Sequence, residues 1–320
     1  MPDLAPPARA TVRGPALTRR ALLACVALVA LAGPARASTL AAPDWQPRFQ
    51  GVDTARIELE QPRRLVLHVA RVDLKTPGLR WFATPAGDPS APLAPPGRHT
   101  GETVGLRTSS FLRLHGLQLA INAAPFGPVV DEEGLLLDVA GLQVSQRVLV
   151  SGQTKTYPAL LLMRDGTARI VAPPFDLRDV DNAVGGFDIV LRDGRVLFEP
   201  PGGGGVDGGR RVPLHPRTAV GISGGGRTLL LLVVDGRQEG YSLGVALHEL
   251  AALLQGLGAT EGINLDGGGT STLVVQGPDT EPLVLNRPIH QGVPGRERVS
   301  ASHLGLWARP LPRGAPGRQP

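Results

Sequence analysis

Apolar and polar positions alternate along much of this chain. The run RIELEQPRRLVLHVARVDL (56–74) carries Val, Leu and Ile in a two-residue rhythm interrupted near Pro62, which predicts two strands. LQLAIN (117–122) reads as a buried strand, and strand-like runs recur at PALLLM (158–163), AVGGFDIVL (183–191), RTAVGIS (217–223) and RTLLLLVVDGR (227–237). Helical spacing is rarer. Val104 to Leu114 fits a short helix ended by Gly116. A clearer one follows Ser242 as its cap, with Leu243, Leu247, Leu250, Leu253 and Leu254 as an apolar stripe and Gly256 or Gly258 as the stop. Residues 227–266 thus form a strand, turn, helix and strand, a single βαβ-like unit. The expected fold is α+β: a large mixed β-sheet core partly covered by a few helices, in a single main domain.

Composition agrees with a packed globular protein, since 42% of the 320 residues are hydrophobic and 19% charged. The first 37 residues have the layout of an export signal. Thr18-Arg19-Arg20 precedes an apolar run from Ala21 to Ala32, and Ala35-Arg36-Ala37 supplies a small-x-small cleavage site, so a Tat-type leader is expected. Leu22-Leu23-Ala24-Cys25 also resembles a lipoprotein box, but cleavage there leaves only a very short apolar segment after the arginines. Removing the leader takes away five of 33 basic residues, one of 28 acidic residues and the lone cysteine. The remaining charge is close to balanced, which gives no electrostatic reason to expect a nucleic-acid partner. Disulfides, thiolate chemistry and cysteine metal sites are excluded for the processed chain. No later segment has the length of a membrane span, so no stable membrane insertion is expected and the product should be periplasmic or secreted. After the leader (1–37), residues 38–101 hold N-terminal strands and a Pro-rich loop of the main domain. Residues 102–310 form the body of that domain, and 311–320 read as a disordered tail.

Several familiar motifs fail on inspection. GISGG (221–225) has the GxSxG pattern of hydrolase nucleophiles, but a strand follows it where a helix is required, so Gly224, Gly225 and Gly226 read as a hairpin turn. His248-Glu249 begins an HExxH pattern whose fifth position is Ala252, one ligand short of a zinc site. GGGGVDGG (202–209) lacks the lysine and helix of a P-loop and reads as a flexible loop. No GxGxxG follows a strand, which removes a dinucleotide site.

What survives is a set of polar residues at predicted strand ends: Asn122, Arg217, Asp235, Arg237, Asn264 and Asp266. Such residues can converge on one cleft, although each is also ordinary turn chemistry. Asn264 and Asp266 project from the same side of the chain, and Gly267, Gly268 and Gly269 allow close backbone approach to a ligand.

HPRTAVGI, the run LLLLVVDGRQEGYSLGVALHELAALLQGLGATEGINLDGGGTSTLVV, and LNRPI resemble the phosphodiester glycosidase family, most densely over 214–307 and with a weaker echo at 117–126. RTAVG, VVDGR, NLDGGG and NRP stand in the family's order. Two departures are visible: Thr270 stands where the family usually has serine, and Ala-Ala-Pro-Phe follows Asn122 where many members have Gly-Gly-Phe-Phe. The resemblance implies hydrolysis of a sugar-1-phosphodiester at its glycosidic bond. In that chemistry Arg217 and Arg237 suit the phosphate oxygens, and a carboxylate, Asp266 first and Asp235 second, suits the oxocarbenium-like carbon as nucleophile or as base for water. The amides of Gly267, Gly268 and Gly269 offer an anion nest. Asn122, Asn264 and Asn286 would bind sugar hydroxyls or hold the carboxylate, Ser271 could do either, and Arg287 of the NRP segment joins the substrate-binding set. The expected partner is a carbohydrate phosphodiester. No metal or cofactor is expected, since no two-carboxylate spacing demands one. A non-catalytic carbohydrate-binding protein of exopolysaccharide handling is the competing expectation.

Overall fold

The computed structural model describes residues 40–87, 101–152, 155–199, 206–207, 210–211 and 213–312. The expected leader, most of the Pro-rich loop and all but the start of the expected tail lie outside the described residues. So does most of the 202–209 glycine run, of which Val206–Asp207 pairs with Arg210–Arg211.

Strand dominates, making the protein more β-rich than the expected α+β class: among the described residues two α-helices accompany twenty-five strands. The central sheet has eight strands in the order Gln46–Phe49, Val52–Leu59, Leu65–Asp73, Thr228–Val234, Arg217–Ser223, Glu261–Asn264, Asp188–Arg192 and Arg195–Val196. Every pairing in it is antiparallel, so the expected mixed sheet is corrected. The βαβ-like reading holds in a modified form. Thr228–Val234 and Glu261–Asn264 run in the same direction but never pair, because each is antiparallel to Arg217–Ser223 between them.

Alternation along Thr228–Val234 explains why its run is apolar throughout. Leu229, Leu231 and Val233 enter one core, and Leu230, Leu232 and Val234 enter another, because a strand places successive side chains on opposite faces. Each such buried side chain contributes about 1.5–3 kcal/mol. The first core lies between the central sheet and two five-stranded antiparallel sheets. One of these is ordered Pro282–Val284, Leu273–Gln276, Leu119–Asn122, His303–Trp307 and Arg80–Ala83. The second core is closed by the helix Leu247–Gly256 through Leu250, Ala251, Leu253 and Leu254. The helix Thr108–His115 covers the outer face of the five-stranded sheet that runs from Pro282–Val284 to Arg80–Ala83, hereafter the smaller sheet, with Phe111 and Leu112. The layers therefore run helix, sheet, sheet, helix.

Two local readings change. AVGGFDIVL splits into Val180–Gly185 and Asp188–Arg192, which lie in different sheets. The chain turns between them, and at Gly186 a Cβ would stand 2.7 Å from Ile263 and 2.8 Å from the Asn264 carbonyl oxygen, so only glycine fits there. Ser242 is not a helix cap. Its Oγ donates to the Asp235 carbonyl at 2.6 Å, while the helix begins after Ala246, whose N–H donates to the Glu249 carboxylate at 2.9 Å. Leu243 stays outside the helix and 39% exposed.

GISGG forms the expected hairpin turn, with Ser223 opposite Thr228. Ser223 closes the far end of the strand that Arg217 begins, roughly 20 Å away at about 3.3 Å per residue.

Candidate functional site

Antiparallel pairing brings the start of Arg217–Ser223 and the ends of Thr228–Val234 and Glu261–Asn264 to one edge of the central sheet. Arg217, Asp235, Asn264 and Asp266 are gathered there. The chain then crosses from the central sheet to the smaller one through Leu265 to Thr272 and enters Leu273–Gln276. Asn122, at the end of Leu119–Asn122, locks this crossing. Its Nδ2 donates to the Asp266 carbonyl at 2.7 Å and to Thr270 Oγ1 at 3.3 Å, and its Oδ1 accepts from Thr218 Oγ1 at 2.8 Å and the Thr272 N–H at 3.1 Å. Asn122 is fully buried, so its amide holds the carboxylate segment in place.

Asp266 sits at the centre and is 9% exposed. Its Oδ2 accepts from Thr270 Oγ1 at 2.7 Å and Arg298 NH2 at 3.2 Å. Burial, the largest influence, pushes its pKa up, and Arg298, Thr270 and the Gly267 amide only partly oppose that. The glycine loop is wedged among cations. Gly268 has φ +68°, and a Cβ there would stand 3.2 Å from both terminal nitrogens of Arg237; a Cβ on Gly269 would meet His290 Nδ1 at 3.0 Å and Arg298 Cβ at 3.3 Å. A Cβ on Gly267 would press on the Pro216 carbonyl at 2.9 Å.

The side chains of Arg298 and Arg237 flank this loop, and Arg217 stands close enough to Arg237 to be repelled by it. Arg298 NH2 also donates to the Gly267 carbonyl at 3.2 Å, and its guanidinium stands 5.8 Å from the centre of the Phe126 ring. Arg237 adopts φ +58° and its NH2 reaches His215 Nδ1 at 3.1 Å. Arg217 Nε donates to the Val245 carbonyl at 3.3 Å. Burial, then mutual repulsion, lowers the pKa of Arg237, which feels Arg298. Burial likewise comes first for Arg217, where attraction to Asp188 opposes it and repulsion from Arg237 adds to it. His215 is lowered by burial and then by both Arg237 and Arg217. Guanidiniums are cations with five donors in a fixed fork, so the cluster presents a group of cations suited to an anion.

Asp235 occupies a different setting. It is 1% exposed and surrounded by donors: Asn286 Nδ2 at 2.9 Å and the Arg287 N–H at 3.1 Å reach Oδ1, while the same N–H and Tyr241 Oη, each at 3.1 Å, reach Oδ2. His68 Nε2 stands 3.4 Å from Oδ2, close enough for ionic attraction but not aligned as a hydrogen bond. Burial is the largest single influence and would raise the Asp235 pKa, but His68, Asn286 and the Arg287 amide together hold it below the usual carboxylate range.

The rest of the expected set is brought to the same region in unequal ways. Asn286 Oδ1 accepts from the Leu273 N–H at 2.9 Å and its Nδ2 also donates to the Ser271 carbonyl at 2.9 Å, so it splints the NRP segment to the crossing loop. Arg287 is held by its backbone, and its guanidinium lies over the Tyr241 ring at 5.2 Å. Ser271 Oγ and Asn264 Oδ1 are buried polar atoms without a hydrogen-bond partner among the described residues. Arg298, His215 and His290 were not singled out from the sequence, and Thr270 was noted only where the family usually has serine. Arg298 lies in GRERVS, where no periodicity or glycine pattern marks it.

Two cavities, of about 410 and 520 Å³, lie away from this cluster. The first is lined by Leu74 and Thr167, the second by Ile222, Gly225 and Glu261, toward the opposite edge of the central sheet.

Comparison with known proteins adds an independent finding. The phosphodiester glycosidase family matches residues 115–307. No curated protein sequence matches the chain. A hypothetical protein from Synechocystis superposes with a TM-score of 0.57 at 14% identity, covering 81% of this chain and 62% of that one, so this chain spans less than two thirds of its length. The zebrafish N-acetylglucosamine-1-phosphodiester alpha-N-acetylglucosaminidase catalytic domain, auto-inhibited by its pro-peptide, superposes with a TM-score of 0.58 at 18% identity, covering 84% of this chain and 89% of that domain.

Proposed function

This chain belongs to the phosphodiester glycosidase family, and from that premise we propose that it is an exported hydrolase that cleaves the glycosidic bond of a sugar-1-phosphodiester in an envelope or extracellular glycan. The observation that carries the reading is the buried Asp266 carboxylate, set on a glycine loop and bordered by Arg298, Arg237 and Arg217. Cleavage of such a bond develops positive charge at the sugar carbon and negative charge on the departing phosphate. A carboxylate suits the first and guanidinium forks the second.

Asp266 meets the anomeric carbon in this proposal, as nucleophile or as base for water. Both of its side-chain hydrogen bonds from Thr270 and Arg298 land on Oδ2, and neither engages Oδ1. Arg237 and Arg217 take the phosphate oxygens, joined by the amides of the glycine loop. Asp235 is a positioning residue, because its oxygens already face Asn286, Arg287 and Tyr241. Export rests on the twin-arginine leader. Among the described residues no helix is long and apolar enough to cross a membrane.

Sugar release from a panel of sugar-1-phosphodiesters tests the reading. Wild type should release sugar, Asp266→Asn should abolish release, and Arg237→Ala should weaken it. Full activity in both variants would sink the site assignment. No release by wild type from any member of the panel would favour the non-catalytic carbohydrate-binding protein.

A further inference from the structure

His290 lies against the glycine loop and is 8% exposed. Its Nε2 stands 2.7 Å from Asp131 Oδ1, and the other oxygen of Asp131 accepts from Gln291 Nε2 at 2.8 Å, so the carboxylate is fixed from two sides. A carboxylate accepts only, so Nε2 must carry the hydrogen, and in the neutral ring Nδ1 is left with a lone pair. Nδ1 lies beside the glycine loop: it is 3.0 Å from where a Cβ on Gly269 would stand, three residues beyond Asp266. Nδ1 takes no hydrogen bond among the described residues. Among the described residues, the other charged side chains at this loop include the guanidiniums of Arg237 and Arg298 and the Asp266 carboxylate, which the reading above assigns to the sugar carbon.

We infer that His290, oriented by Asp131, is a proton-accepting catalytic residue at this site. The inference rests on the hydrolase reading above. Water bound between the sugar and His290 loses a proton to Nδ1 as its oxygen bonds to the anomeric carbon. The bond from that carbon to the phosphate oxygen breaks, with its electron pair leaving on the phosphate, and the proton on the imidazolium then passes to solvent. Asp131 supports the step by stabilising the imidazolium and holding the ring plane. The assignment divides the work at the sugar carbon: Asp266 answers the developing positive charge, and His290 takes the proton.

The test compares wild type, His290→Gln, His290→Ala and Asp131→Asn on a sugar-1-phosphodiester that wild type hydrolyses. Loss of a positioned base lowers kcat by about 10²-fold or more. His290→Gln and His290→Ala should show that loss with KM within about threefold, the pattern of an interaction made only in the transition state. Asp131→Asn, at an exposed position that does not endanger folding, should fall between them and wild type. Added imidazole should restore turnover to His290→Ala in a saturable way and leave wild type unchanged, which a merely structural role would not produce. If wild type turns over and the three variants keep kcat within about twofold, or imidazole restores nothing to His290→Ala, the inference fails while the hydrolase reading stands. If wild type releases no sugar, the hydrolase reading itself fails and this inference with it.

Discussion

Asp235 and Asp266 differ in one physical respect that mutation to asparagine exposes. Asp235 is a buried anion satisfied by donors, and its pKa is held low in the folded state. A group of that kind adds stability above its unfolded pKa and loses it as pH falls through the lower folded value. Asp266 is shifted the other way, chiefly by burial. Its contribution is fully present below the unfolded pKa and is lost as pH rises through the folded one, so the charged form is a liability near neutrality. Asp235→Asn removes the charge from three donor contacts, those of Asn286, the Arg287 amide and Tyr241, and places an amide hydrogen against one of them. Hydrogen bonds to a charged group are worth about 1.5–3 kcal/mol each, and partial re-pairing by Tyr241 and His68 offsets some of that. The expected loss at pH 7 is about 2–4 kcal/mol, or roughly 4–8 °C in Tm for a domain of this size. Asp266→Asn should stay within about 1 kcal/mol of wild type, since relief of burial offsets the weakened Arg298 contact. Thermal unfolding followed by circular dichroism between pH 3 and pH 8 measures both. The Asp235→Asn deficit should shrink below about pH 4, where ordinary carboxylates protonate. A deficit under 1 kcal/mol at pH 7, or one that is unchanged at pH 3, would refute the reasoning.

Two further outcomes follow from the same geometry. Gly268→Ala forces a side chain into φ +68° at about 1–2 kcal/mol and pushes a methyl against the Arg237 guanidinium, so kcat/KM should drop at least about tenfold while the melting temperature moves only a few degrees. Ser223→Ala should leave sugar release within about twofold of wild type, because the serine closes a hairpin at the far end of the Arg217 strand; a large loss would revive a serine nucleophile.

The sequence was most readable where one physical signal acted alone. RTAVGIS became the strand Arg217–Ser223 with its bounds intact, because a short β-prone run bounded by proline and glycine leaves no competitor. AVGGFDIVL failed because two strands of different sheets meet at Gly186, where tertiary crowding, invisible in the sequence, decides the turn. Ser242 illustrates a rival use: its hydroxyl serves the Asp235 carbonyl instead of the helix start. At the site, strand-end logic gathered Asn122, Arg217, Asp235 and Asp266. It missed Arg298, on irregular chain, and His290, in the two-residue strand Ile289–His290 that is too short to show a period; both follow the smaller sheet's Pro282–Val284 strand. Irregular backbone has no period to read, so such residues are found only by where folding puts them.

The crossing from Leu265 to Thr272 is the only covalent passage by which the strand Glu261–Asn264 hands the chain to Leu273–Gln276, and it is also where Asp266 sits. The proposed catalytic segment is thus the suture between two layers, pinned on both sides by Asn122 and Asn286. Competence at this centre is consequently a late product of folding, since it exists only once the layers are docked. The same geometry makes gradual loss of function by local fraying unavailable: on heating, inactivation and global melting should be one event.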